Sequence, residues 1–133
     1  MEEKTHSIMV IEDEELLLRA ISKKLTSEGH QAITCTSSRQ AIDYLKNLEI
    51  LPDAIWLDYY LGDMNGLEFM NELKKNEVWS KIPVFVVSNS ASAQKKNAML
   101  ALGAKDYLLK AEYKLDEIIK KISKYLAKGG GHE

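Results

Sequence analysis

Ile8-Met9-Val10-Ile11-Glu12-Asp13 decides the reading of this chain: four apolar residues in a row stop on two carboxylates. A run of that length is strand-sized. Apolar character at every position means that both faces are covered, as in a parallel strand held between layers of helices. The pattern returns twice, where Ala54-Ile55-Trp56-Leu57 stops on Asp58 and Val84-Phe85-Val86-Val87 stops on Ser88. These three runs read as central strands. Ala32-Ile33-Thr34-Cys35-Thr36 alternates in polarity and Tyr107-Leu108-Leu109 is short, so both read as edge strands, the second handing over to Lys110.

Between the strands, apolar residues recur at helical spacing. Leu17, Ile21 and Leu25 share one face, closed by Glu28-Gly29, and Gly103 gives the same stop after Met99 and Leu102. Ser37 with Gln40 reads as a capping box for a helix carrying Ala41, Ile42, Leu45 and Leu48, while Leu67, Met70 and Leu73 make the next buried stripe. In the last helix Leu115, Ile118, Ile119, Ile122 and Leu126 line one side, and Lys114, Lys120, Lys121 and Lys124 face water. Five strands alternating with five helices through right-handed crossovers predict an α/β domain, a doubly wound five-stranded parallel sheet with helices on both faces. It spans residues 7–127. Residues 128–133, Lys128-Gly129-Gly130-Gly131-His132-Glu133, read as a flexible tail.

Composition narrows the function. The 133 residues include 18 Lys+Arg, 20 Asp+Glu and 3 His, for a formal charge of -2 and a pI near 6.0. Lysines interspersed with acids give no concentrated positive field, so nucleic acid and anionic membranes are poor partners. The longest apolar run falls well short of the ~18 residues that span a bilayer. Cys35 is a lone cysteine with no internal disulfide partner, and the first residues lack the apolar core of a secretory signal, so the expected setting is soluble and cytoplasmic. Cys35 itself reads as a small buried hydrophobe. His6, His30 and His132 lack zinc-ligand spacing and read as surface residues, Trp56 and Trp79 as packing, and the lysines near Lys95-Lys96 as a solvated face.

In a parallel sheet the carboxyl ends of the strands share one rim. Glu12, Asp13, Asp58, Ser88 and Lys110 therefore gather there as three carboxylates, one hydroxyl and one ammonium, an inventory suited to a divalent cation and a phosphoryl group. Clustered carboxylates repel, and Mg²⁺ is the natural offset.

With these residues in view, the chain resembles the receiver domain of two-component response regulators, of the stand-alone, chemotaxis-regulator-like kind. The likeness rests on Val10-Ile11-Glu12-Asp13-Glu14, on Leu57-Asp58-Tyr59-Tyr60-Leu61 through Asn65-Gly66, on Pro83 to Ser88, and on Gly103-Ala104-Lys105-Asp106-Tyr107-Leu108-Leu109-Lys110. It implies strand order 2-1-3-4-5. It also implies that Asp58 is the phosphoacceptor, taking a phosphoryl group from a histidine kinase or a phosphotransfer protein. Asp13, with Glu12 through water, would hold Mg²⁺ together with Asp58 and the Tyr60 carbonyl. Lys110 and Ser88 would meet the phosphoryl oxygens, and Tyr107 would change rotamer as the face made by the fourth helix, fifth strand and fifth helix switches toward an unidentified downstream protein.

The sequence departs from the family pattern at several places. Ala111 replaces the proline that usually follows the active-site lysine, which leaves the Lys110-Ala111 peptide free to be trans. Asn89 stands where the family generally has Ala or Gly, beside the access path to Asp58. Tyr60 is bulky near the line of a hydrolytic water, which predicts a long-lived acyl phosphate. Gly62, where a proline is common, loosens the loop through Asp63 and Met64.

Asn89 and Ala111 also motivate the alternative of a pseudo-receiver, an interaction module that leaves Asp58 unused. A phosphatase turning over external substrates would place a second acid where Tyr60 stands, and Glu12-Asp13-Glu14-Glu15 would repel a flavin phosphate. The expectation is a phosphoprotein, not a turnover enzyme.

Overall fold

The computed structural model describes residues 5–129 of the chain. Five strands, β1 (Ser7–Ile11), β2 (Gln31–Cys35), β3 (Ala54–Asp58), β4 (Val84–Ser88) and β5 (Asp106–Leu109), alternate with helices α1 (Glu15–Ser27), α2 (Ser38–Asn47), α3 (Gly66–Lys74), α4 (Ala93–Ala101) and α5 (Leu115–Ala127). All strand pairs are parallel and the order is β2-β1-β3-β4-β5. The all-apolar runs are the three central strands and the two edge strands are those foreseen from polarity and length.

Side chains alternate across the sheet and so build two cores. Met9, Ile11, Ile55, Leu57, Val84 and Val86 face one layer, where they meet Ala41 and Leu45 of α2, Phe69, Met70 and Leu73 of α3, and Met99 of α4. Ile8, Val10, Ala54, Trp56, Phe85, Val87 and Leu108 face the other, against Leu18, Ile21 and Leu25 of α1 and Ile118, Ile119, Ile122 and Leu126 of α5. By this parity Asp58, ending β3, belongs with Trp56 on the α1–α5 side, whereas Ser88, ending β4, belongs with Val86 on the other.

Helix boundaries follow local chemistry. Gly29 and Gly103 adopt φ +88° and +105°, which lets the chain leave α1 and α4 through a left-handed turn. Ser37 Oγ accepts from Gln40 N at 3.0 Å, but the Gln40 side chain accepts from Thr36 N at 2.7 Å instead of from Ser37, so the capping box is offset by one residue. The reciprocal box occurs at Asn65 and Glu68, with bonds of 2.9 and 3.0 Å. Leu18 is buried and Leu17 only half-buried, and Phe69 joins Met70 and Leu73 while Leu67 packs partly exposed; each stripe is turned slightly from the expected one. Lys128 and Gly129, placed in the tail from sequence, complete the helix end by donating to the carbonyls of Lys124, Tyr125 and Leu126. Residues 130–133, with His132, lie outside the described residues.

His6 and His30 correct the sequence reading, because both are buried at the amino end of the sheet with ring centroids 5.8 Å apart. The His6 N–H donates to His30 Nδ1 at 3.1 Å, which leaves His30 Nε2 to carry the ring proton toward Ser123 Oγ, also at 3.1 Å. Asp53 accepts from Ser7 N at 2.8 Å, and its carboxylate lies 3.9 Å from His6 Nδ1. These contacts tie the starts of β1, β2 and β3 to α5 at the end opposite the acidic rim.

Candidate functional site

Strand ends place the acidic residues. β1 delivers Glu12 and Asp13, β3 ends on Asp58, and carboxylate oxygens of all three lie within 4.8 Å of one another. Glu12 is 1% exposed and Asp58 4%, whereas Asp13 is open to solvent. The sheet thus buries two negative charges side by side and leaves the third at the mouth. Burial, reinforced by the neighbouring Glu12 charge and opposed by Lys110, pushes the Asp58 carboxyl well above the ordinary carboxylate range.

Lys110 enters from β5. Its Nζ stands 3.2 Å from Glu12 Oε1 and 3.5 Å from Asp58 Oδ1, bridging the two buried carboxylates. Every peptide bond among the described residues is trans, Lys110-Ala111 included, and the ammonium reaches the centre regardless. Glu12 Oε2 also accepts from Glu14 N at 3.0 Å, which fixes the second carboxylate oxygen. One ammonium against three carboxylates leaves local negative charge unmatched, and oxygen donors at these separations fit a hard divalent cation such as Mg²⁺.

Ser88 is fully buried at the end of β4, next to β3, and its Oγ accepts from Ser90 N at 3.0 Å. Tyr107 is 6% exposed and its hydroxyl donates to the Ser90 carbonyl at 3.0 Å. The loop after β4 is therefore held at Ser90 from below and from the side. Asn89 and Ala111 are exposed.

The solvated face read at Lys95-Lys96 is at the surface, with Lys96 exposed and Lys95 partly so, but Lys95 has partners there that the sequence did not signal. Lys95 Nζ donates to the Tyr60 hydroxyl and lies 5.0 Å from the Tyr60 ring centroid and 5.8 Å from that of Tyr59. Hydrogen bonds from Lys95 and Ser90 lower the Tyr60 phenol from its ordinary value, and the Tyr60 bond raises the Lys95 ammonium. The run of hydroxyls at Ser88, Ser90 and Ser92 was the available sequence signal for a bonded loop here. Asp63 was also missed. Its carboxylate accepts from Ser38 N at 3.2 Å and Arg39 N at 2.9 Å, joining the loop after β3 to the start of α2. Although burial acts to raise its pKa, these backbone bonds win and lower it.

Cys35 is fully buried, and loss of water pushes its thiol up to about 12, so it is an unreactive packing group. No helix among the described residues is long and apolar enough to cross a membrane.

Residues 8–123 match the family described as "Response regulator receiver domain". The cell cycle response regulator CtrA of Brucella ovis is 32% identical over 125 residues, covering 94% of this chain and 52% of that protein. The chain thus spans about half the length of the curated relatives it matches. Among solved structures, the CheY-like receiver domain protein of Methanospirillum hungatei superposes with a TM-score of 0.85 at 19% identity, covering 98% of this chain and 100% of that one. The Mn²⁺-bound form of response regulator Rcp1 superposes with a TM-score of 0.75 at 24% identity, covering 90% and 91%. Strand order, acidic rim and a family match running from β1 into α5 agree: this chain belongs to the response regulator receiver domain family.

Proposed function

We propose that Asp58 accepts a phosphoryl group from a phosphohistidine of a histidine kinase or phosphotransfer protein, in a Mg²⁺-dependent reaction, and that the modified protein signals by protein contact. The observation that carries this reading is the burial of Asp58 between Glu12 and Lys110 with Asp13 open to solvent beside it. A lone structural aspartate would be paired one to one; here the negative charge exceeds the cation supply, which suits a site that binds a divalent ion. Response regulator Rcp1, whose fold this chain shares, has been solved in a Mn²⁺-bound form, and this chain gathers three carboxylates able to hold a metal ion.

Asp13, Asp58 and the Tyr60 carbonyl would hold Mg²⁺, with Glu12 acting through water; when bound, the ion supplies charge neutralisation for the phosphoryl oxygens. An Asp58 carboxylate oxygen attacks phosphorus as the N–P bond of the phosphohistidine breaks, and the imidazole nitrogen keeps the electron pair. Lys110 then turns from carboxylate to phosphoryl oxygen, within the reach of its flexible chain. Ser88 Oγ donates to another oxygen, which draws on the bond it accepts from Ser90 N. Ser90 carries the Tyr107 hydroxyl, so this rearrangement reaches the face made by α4, β5 and α5. The product is an acyl phosphate on the protein itself, and no external substrate is turned over.

An interaction module that leaves Asp58 unused is the competing reading. Ala111 and Asn89 motivated it, yet Lys110 reaches both buried carboxylates and Asn89 is exposed. Incubation with Mg²⁺ and an acyl phosphate donor, followed by mass spectrometric mapping, decides between them. Label on Asp58, absent from Asp58→Asn, is the expected result; no label from small donors or from histidine-phosphorylated donors selects the interaction module.

A further inference from the structure

Tyr60 and Lys95 form a contact that phosphoryl acceptance does not explain. Tyr60 lies in the loop after β3 and Lys95 in the first turn of α4, which follows β4. β3 and β4 are neighbours, so the bond between the Tyr60 hydroxyl and Lys95 Nζ spans the mouth between two strand ends, with Asp58 on one and Ser88 on the other. The ammonium also lies within cation–π range of the Tyr59 and Tyr60 rings.

The strap is anchored on the side of β4 and α4. Lys95 N donates to Ser92 Oγ at 3.2 Å, Ser92 N to Ser90 Oγ at 3.3 Å, and Ser90 N to Ser88 Oγ at 3.0 Å. An aromatic side chain 46% exposed ordinarily samples several rotamers, and here a charged bond to another element removes that freedom.

We propose that Lys95 is a positioning residue: through the Tyr60 hydroxyl it holds the ring across the solvent approach to Asp58 and Ser88, and so sets how fast an acyl phosphate on Asp58 is lost to water. The inference rests on the phosphoacceptor reading. In that hydrolysis a water oxygen bonds to phosphorus as the bond to the Asp58 carboxylate oxygen breaks; the carboxylate keeps the electron pair, the water proton passes to solvent, and inorganic phosphate leaves. The attacking water needs a line opposite the carboxylate oxygen. A tethered ring beside that line lowers the fraction of time it is open.

The test follows loss of radiolabel from purified phosphoprotein for wild type, Lys95→Met, Lys95→Arg, Tyr60→Phe and the Lys95→Met/Tyr60→Phe double variant. Tyr60→Phe keeps the bulk and deletes only the anchor. Lys95→Met and Tyr60→Phe are each expected to raise the first-order loss rate by about threefold or more, with the double variant no faster than either. Lys95→Arg, which keeps a charged donor, is expected to stay near wild type. A merely structural role for Lys95 would lower the thermal midpoint and give no such rescue. Equal loss rates in wild type, Lys95→Met and Tyr60→Phe overturn the inference alone, as do effects that add in the double variant. Failure of wild type to take label overturns the phosphoacceptor reading and this inference together.

Discussion

Lys110 Nζ lies 3.5 Å from Asp58 Oδ1, although Asp58 ends β3 and Lys110 follows β5, strands that are not adjacent because β4 separates them. The lysine chain crosses that gap to reach Asp58 and Glu12 at once. A cation in this position favours the ionised Asp58 and awaits any new negative charge placed on it. Lys110→Met is expected to keep the fold and reduce the rate of labelling from an acyl phosphate donor by about tenfold or more, measured as initial incorporation at saturating Mg²⁺.

Asp58 sets a pH dependence. Burial and the Glu12 charge raise its folded pKa above the unfolded value, so the folded state binds the extra proton. The associated stability is fully present below the unfolded pKa and is lost as pH rises through the folded value, about 7. Without divalent cation, the thermal midpoint should fall between pH 5 and pH 8. Added Mg²⁺ should raise it more at pH 8 than at pH 5, and an equal effect at both would contradict the assignment.

The same buried charge makes a second prediction. Asp58→Asn removes the repulsion with Glu12 while keeping shape, and should stabilise the metal-free protein at pH 8 by about 1–2 kcal/mol in urea unfolding. Mg²⁺ should then contribute much less stability to the variant than to wild type.

Asp63 acts with the opposite sign. Its carboxylate pKa is lowered by the Ser38 and Arg39 backbone N–H groups, so its contribution exists above the unfolded pKa and is lost as pH falls through the folded one. Asp63→Ala should cost about 1 kcal/mol at pH 7, a difference that shrinks as pH falls below the ordinary carboxylate range and through the lowered pKa, as followed by circular dichroism during denaturation.

Tyr107→Phe removes the bond to the Ser90 carbonyl and leaves that acceptor without this partner. A destabilisation of about 1 kcal/mol is expected, with faster amide exchange in residues 89–92 and unchanged exchange in β1.

The fold was legible because the three central strands are apolar at every position and stop on polar groups. That single pattern gave strand boundaries, burial on both faces and the rim that collects Glu12, Asp13, Asp58 and Ser88. Parity along a strand even separates the layers served by Asp58 and Ser88. Side-chain contacts between distant segments outside that strand-end set were not legible. His6 and His30 are separated by 24 positions and Tyr60 and Lys95 by 35, and nothing in local periodicity signals that such residues meet. Gln40 was identified as a capping partner, but its side chain accepts from the Thr36 N–H and not from that of Ser37.

The alternation of side chains across the sheet has a mechanical consequence. Asp58 and Ser88 end adjacent strands but belong to opposite sides of the sheet. A small anion bonded to both at once would act as a cross-tie between the two side-chain layers packed on either face of the sheet.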